Sequence, residues 1–276
     1  MGKSTLKMII YIVVALIFIC FTAMILFTCL WNTEEVMLEK AKQKLHLDWQ
    51  GQNNIYLSDK KDYEGSTFEH DGKEYKIHCQ FARNYEGYNK YLQSHGCAAC
   101  SLTTILGAYV PECKDWTPYE TITIAEKTVT GEKAMKRNYS KSSSKQMPVS
   151  LNGISRVLDY YGVKHQYVTK LGTMDETKDS IIQNLKRGDP VIFIVGQKNR
   201  ETGKYSSKWT GSYHTMVMIG FFENGKVLIG NPAGKERLSI VSLEEMINYM
   251  FSCSEEPSGF YWNGKKRCGG YIKLLQ

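Results

Sequence analysis

Residues 96–106 read Gly96-Cys97-Ala98-Ala99-Cys100-Ser101-Leu102-Thr103-Thr104-Ile105-Leu106. Ala, Leu and Ile recur here at helical spacing, and the run predicts a helix over 97–109 with a cysteine at its start. A helix start presents unpaired N–H groups and partial positive charge, which favours a thiolate over a thiol. Cys97 is therefore the candidate nucleophile. Upstream, residues 55–82 are β-like, with His70-Asp71-Gly72-Lys73 as a hairpin signal, and 84–94 are polar and tyrosine-rich. Downstream, 110–147 is polar and contains Ser-Lys-Ser-Ser-Ser-Lys, which predicts an irregular excursion.

Further on, residues 148–161 form an amphipathic pattern that stops at Gly162, a short strand follows in His-Gln-Tyr-Val-Thr, and 173–187 predicts a second helix ending at Gly188. Then the period changes. Residues 190–196 (PVIFIVG), 213–222 (YHTMVMIGFF) and 226–230 (KVLIG) read as buried strands, the last two joined through Glu223-Asn224-Gly225. Residues 242–250 predict a short helix, and Gly-Gly-Tyr-Ile-Lys-Leu-Leu a closing strand. Helices first and an antiparallel sheet after them define an α+β class.

His214 opens the central apolar strand, and Asn231 follows the next strand in Gly-Asn-Pro. An imidazole can take the thiol proton, and an amide oxygen can hold that imidazole in one tautomer and orientation. Singly, each residue has an ordinary structural reading: a buried helix cysteine, a strand histidine, a turn asparagine. Cys, His and Asn in this order, on a helix start and matching ends of two paired strands, are the ingredients of a papain-type cysteine peptidase.

These residues resemble the C39-like, papain-fold peptidases. The Gly96–Leu106 run matches that family's Gly-Cys helix, Tyr213-His214-Thr215-Met216-Val217-Met218-Ile219-Gly220 its histidine strand, and Gly230-Asn231-Pro232 its Asp-Pro or Asn-Pro turn. The resemblance covers roughly residues 75–276. It implies a papain-like fold and a thiol peptidase with Cys97 as nucleophile, His214 as base and Asn231 as orienter. It further implies an oxyanion donor from Gln93, four residues before Cys97, beside the Cys97 N–H. The substrate expected is a peptide or protein, with no cofactor and no metal.

Three rivals stand beside this reading. Cys97-Ala98-Ala99-Cys100 is also a C-x-x-C at a helix start, the layout of a thiol–disulfide oxidoreductase. That fold needs an apolar strand feeding the motif and a cis-proline opposite it; Tyr91–His95 is short and polar, and only Pro148 is suitably distant. Zinc would need more ligands than Cys97, Cys100 and one histidine. A catalytically inactive papain-fold binding module is the third. Cys79, Cys113, Cys253 and Cys268 are candidates for two disulfides in an oxidising exterior, with three connectivities open.

Residues 8–31 contain no charged side chain over 24 positions, enough for a helix to cross a bilayer. Lys3 and Lys7 precede the run and Glu34 and Glu35 follow it, which orients a single-pass anchor with its N-terminus in the cytoplasm. The expected organisation is a cytoplasmic tail at 1–7, a transmembrane helix at 8–31, a stalk at 32–52, and an extracellular peptidase domain at 53–276. Of the 35 basic and 28 acidic residues, all but Lys3 and Lys7 lie beyond the run, leaving about +5 there, a mild excess that suits an anionic membrane surface better than nucleic acid. Hydrophobic content of 42% and charged content of 23% exclude wholesale disorder.

Overall fold

In the computed structural model the described residues are 13, 15–19, 21–22, 66–70, 72–80, 96–122, 151–222, 224–233, 238–253, 261–262, 265–266 and 269–275. The chain separates into two compact units, residues 1–40 and 41–276. In the first, the described residues are helical, and Thr22 Oγ1 donates back to Phe18 O at 2.7 Å. Leu16, Ile17, Phe18, Ile19 and Phe21 are all more than half exposed. Among the described residues no helix is long and apolar enough to cross a membrane; most of the run 8–31 lies outside them.

The second unit holds a six-stranded antiparallel sheet. Strands β1 (Ser66–His70) and β2 (Lys73–Ile77) form a separate hairpin, His70 opposite Lys73, with Gly72 in the left-handed region that the tight turn requires. Helix α1 (Cys97–Tyr109) follows, then α2 (Leu151–Tyr160), β3 (His165–Val168), α3 (Met174–Leu185), β4 (Val191–Gly196), β5 (Tyr213–Phe222), β6 (Lys226–Gly230), β7 (Leu238–Ser242) and α4 (Leu243–Tyr249). Two-residue strands β8 (Tyr261–Trp262) and β9 (Lys265–Lys266) pair with each other, and β10 (Tyr271–Leu274) ends the described fold. The large sheet runs β3-β10-β4-β5-β6-β7.

Both faces of the sheet are covered, which is why β4 is buried at all six positions and reads as a continuous apolar run rather than an alternation. On one face Phe193, Val195, Met216, Met218 and Ile229 pack with Ile181 and Leu185 of α3 and Met246 and Ile247 of α4. The other face meets α1, of which residues 97–106 are all buried. A bulge between Met218 and Gly220 shifts the β5–β6 register. Phe221 therefore joins the same face as Met216 and Met218, which strict alternation would forbid.

The polar stretch expected to be irregular is partly ordered: Pro111–Cys113 is a 3₁₀ turn and residues 118–122 are helical, with Thr121 Oγ1 accepting from Thr103 Oγ1 of α1 at 2.8 Å. The remainder, 123–150, lies outside the described residues, as does Pro148.

Candidate active site

Helix α1 enters the site with no side-chain cap. Gly96 stands at the N-cap, and the first intrahelical bond is Cys100 N to Gly96 O at 2.9 Å. The amides of residues 97–99 are thus left over at the helix start. The amides of Cys97 and Ala98 at the helix start, together with Thr215, favour the Cys97 thiolate, while burial disfavours it. The Thr215 hydroxyl is buried and, among the described residues, meets no hydrogen-bond partner.

This juxtaposition follows from where β6 stops. The β5–β6 ladder ends at the pair Val217–Gly230, so Thr215, two residues nearer the start of β5, has no β6 residue beside it. Its N–H and C=O point the same way in an extended chain, and α1 takes the place of the missing strand. Ser101 Oγ donates to Thr215 O at 3.1 Å, while the Thr215 backbone serves the Cys97 sulfur. Cys97 and Ser101 are one helical turn apart, so both face one strand residue. Thr104 Oγ1 donates to Lys76 O of β2 at 2.8 Å and fixes the helix from its other side.

His214 and Asn231 meet on the sheet. One step past the Val217–Gly230 pair sets Asn231 opposite Met216, on the face that His214 shares. His214 Nε2 and Asn231 Oδ1 are 2.7 Å apart, both residues buried at 4% and 7% exposure. The tautomer can be deduced. Ala233 N donates to the same Oδ1 at 3.1 Å, and a backbone N–H can only donate, so the atom it meets is the amide oxygen. His214 Nε2 must then carry the hydrogen, which leaves Nδ1 as the basic nitrogen. The turn is held from outside by Gln80 N, which donates to Pro232 O at 3.0 Å. At Gly230 a Cβ would lie 2.9 Å from Ile77 Cδ1, so the glycine lets β2 press onto the strand just ahead of Asn231.

Burial sets the protonation states. It pushes the Cys97 thiol up, against the pull of Thr215 and the helix-start amides, and it lowers His214 to about 4, against the pull of Asn231. Burial therefore opposes both charged forms of the pair, where the helix start favours the thiolate. The dipole is present, but the sulfur sits in a pocket only 5% exposed.

Cys97 is a free thiol, so no Cys97–Cys100 disulfide is present. Cys79, Cys113 and Cys253, three of the four candidates for disulfides, are free thiols. Cys253 Sγ lies 3.5 Å from Gly269 O, and Cys268, the fourth candidate, falls outside the described residues. Gln93 falls outside them too. Sequence reasoning missed Thr215 and Ser101; the one signal available was a hydroxyl one helical turn after the cysteine and another next to the histidine.

The fold is thus α+β, with a cysteine at a buried helix start and an imidazole–amide pair on the antiparallel sheet. The sequence profile of the Peptidase_C39 like family matches residues 69–249, and the chain belongs to that family. No curated protein matches. Among solved structures, the chain is similar to a putative C39-like peptidase from Bacillus anthracis (14% identity, 66% of this chain and 89% of that one, TM-score 0.38). It is also similar to the peptidase domain of Streptococcus ComA, a bifunctional ABC transporter involved in quorum sensing (13% identity, 66% and 93%, TM-score 0.33).

Proposed function

We propose that the protein is a membrane-anchored, extracytoplasmic cysteine peptidase that hydrolyses peptide bonds with Cys97, His214 and Asn231. The observation that carries this reading is the doubly fixed Asn231 oxygen, which assigns the hydrogen of His214 to Nε2 and frees Nδ1 to act as base. As Cys97 Sγ attacks the substrate carbonyl, its proton passes to Nδ1. The tetrahedral oxyanion is met by α1 amides, with Gln93 as a second donor. The C–N bond then breaks, the imidazolium gives its proton to the departing amine, and an acyl-thioester remains on Cys97. Water attacks the thioester with Nδ1 as base, releasing the acid and restoring the thiol. Asn231 keeps the ring from rotating throughout.

The apolar run 8–31 supports the anchor, and the lysines before it support an N-terminus in the cytoplasm. High-pH extraction of membranes checks this: the full chain stays in the pellet, and a chain beginning at residue 32 does not. Hydrolysis is tested with a fluorogenic peptide library and the full chain in detergent. Cys97→Ala abolishes turnover, and Cys100→Ala retains it. Equal loss in both would instead favour dithiol–disulfide chemistry at the C-x-x-C motif.

A further inference from the structure

The connection between β4 and β5, residues 197–212, is not a loose loop. Lys198 and Tyr205 form an antiparallel bridge, Ser206 N donates to Gln197 O at 2.8 Å, and Asn199 N donates to Lys204 O at 2.8 Å. The hairpin is fastened to α4: Arg200 N donates to Asn248 O at 2.7 Å, and Lys208 pairs with Glu245. Between this hairpin and the start of α4 lies an open cavity of about 940 Å³, floored by Gly196, Met250 and Phe251. That volume suits a few peptide residues.

Its position relative to the site is fixed by register. Gly196 on the floor pairs with Tyr213, Val195 pairs with His214, and Ser212 on the wall lies two residues before His214. At about 3.3 Å per residue, the wall begins roughly 7 Å along the strand from the imidazole. His214 shares its face of the sheet with Val195 and Met216, the face on which α4 packs. The sulfur lies instead at the free edge of Thr215, against α1.

The charges lining the cavity are unequally satisfied. Glu201 receives Asn248 Nδ2 at 3.3 Å, and Glu244 lies 3.8 Å from Lys178 Nζ. Among the described residues Arg200 reaches a backbone oxygen, Gly172 O, at 3.5 Å, and no carboxylate. Among the described residues the Lys198 ammonium meets no carboxylate at all. Glu244 is thus paired and Glu201 held by a neutral amide, while among the described residues Lys198 and Arg200 have no carboxylate within ion-pair distance.

We propose that this cavity binds the part of the substrate C-terminal to the scissile bond and selects an acidic group there, through Lys198 and Arg200. The inference rests on the peptidase reading for its direction. The departing amine takes its proton from His214, so that half of the peptide leaves on the imidazole side of the sulfur, where the cavity is. Two extended residues cover the 7 Å to its wall, which places the acid at the second or third residue after the cut.

The test uses Cys97→Ala, which binds without turnover, and C-terminally amidated fluorescent peptides carrying Glu, Gln or Lys at those two positions. Fluorescence anisotropy is expected to show Glu peptides bound at least about tenfold more tightly than Lys peptides, with the preference shrinking as salt rises. Adding Lys198→Glu and Arg200→Glu reverses the order; Lys198→Arg preserves it. Lys198→Gln with Arg200→Gln removes the preference without inverting charge, which guards against misfolding of the double glutamate variant. A free-carboxylate Gln peptide that outbinds the amidated Glu peptide would show that the acid recognised is the chain terminus instead. An unchanged Glu-to-Lys ratio in the charge-reversed variant overturns the assignment of the cavity. Hydrolysis that survives Cys97→Ala overturns the peptidase reading, and the binding measurement stands apart from that result.

Discussion

At the scale of single residues, the site turns on one amide oxygen. Asn231 Oδ1 is claimed at once by Ala233 N and His214 Nε2, so its identity and the tautomer opposite it follow from geometry. Because burial lowers His214 to about 4, the imidazole stays neutral and able to accept a proton well below its ordinary value near 6.5. Asn231→Asp sets a carboxylate beside the ring and favours the imidazolium, raising the His214 pKa by about a unit or more. The acid limb of kcat/KM then moves to higher pH in that variant, since base catalysis needs the neutral ring. A pH–rate profile checks it, and an unmoved acid limb would separate His214 from the chemistry. Of this detail the sequence offered Cys97, His214 and Asn231 themselves. It could not offer the protonation states, because a dipole can be read from a helix start while desolvation depends on everything packed around it.

At the scale of elements, helix α1 stands in for a strand. Where β6 ends at Gly230, the Thr215 backbone is completed by Ser101 and Cys97 instead. Ser101→Ala leaves the buried Thr215 carbonyl unpaired, and denaturant unfolding should show a loss of about 1–3 kcal/mol. Because the same residue steadies the sulfur, kcat should fall with little change in KM; full activity in a destabilised variant would limit Ser101 to a structural role. Much of the element order was legible. The helix at 97–109 and the strands at 213–222 and 226–230 fall where their periodicity sets them, since long apolar runs with Gly or Asn-Gly breaks leave few alternatives. Strand β7, with a half-buried, mixed-polarity pattern, carried no such signal. Nor did the ordering of 197–212, which comes from bonds to α4 made only after folding.

At the scale of the whole molecule, family and fold class were readable because three short motifs sit at fixed points of an α+β chain. Strand order was not. Strand β3 pairs with β10, joining His165 to Leu274 across more than a hundred residues, and no local pattern announces such a partner. The apolar segment near the N-terminus falls in the first unit, and every residue proposed for catalysis falls in the second. The most direct test traps the acyl-enzyme. The full chain is mixed with a peptidyl acylating probe, quenched in acid, and mapped by intact-mass and peptide mass spectrometry. A single acyl group on Cys97 is expected, formed at least about a hundredfold more slowly in His214→Ala. Acylation of Cys97 at the same rate without the His214 imidazole, or an acyl group on Cys100 in its place, would contradict it.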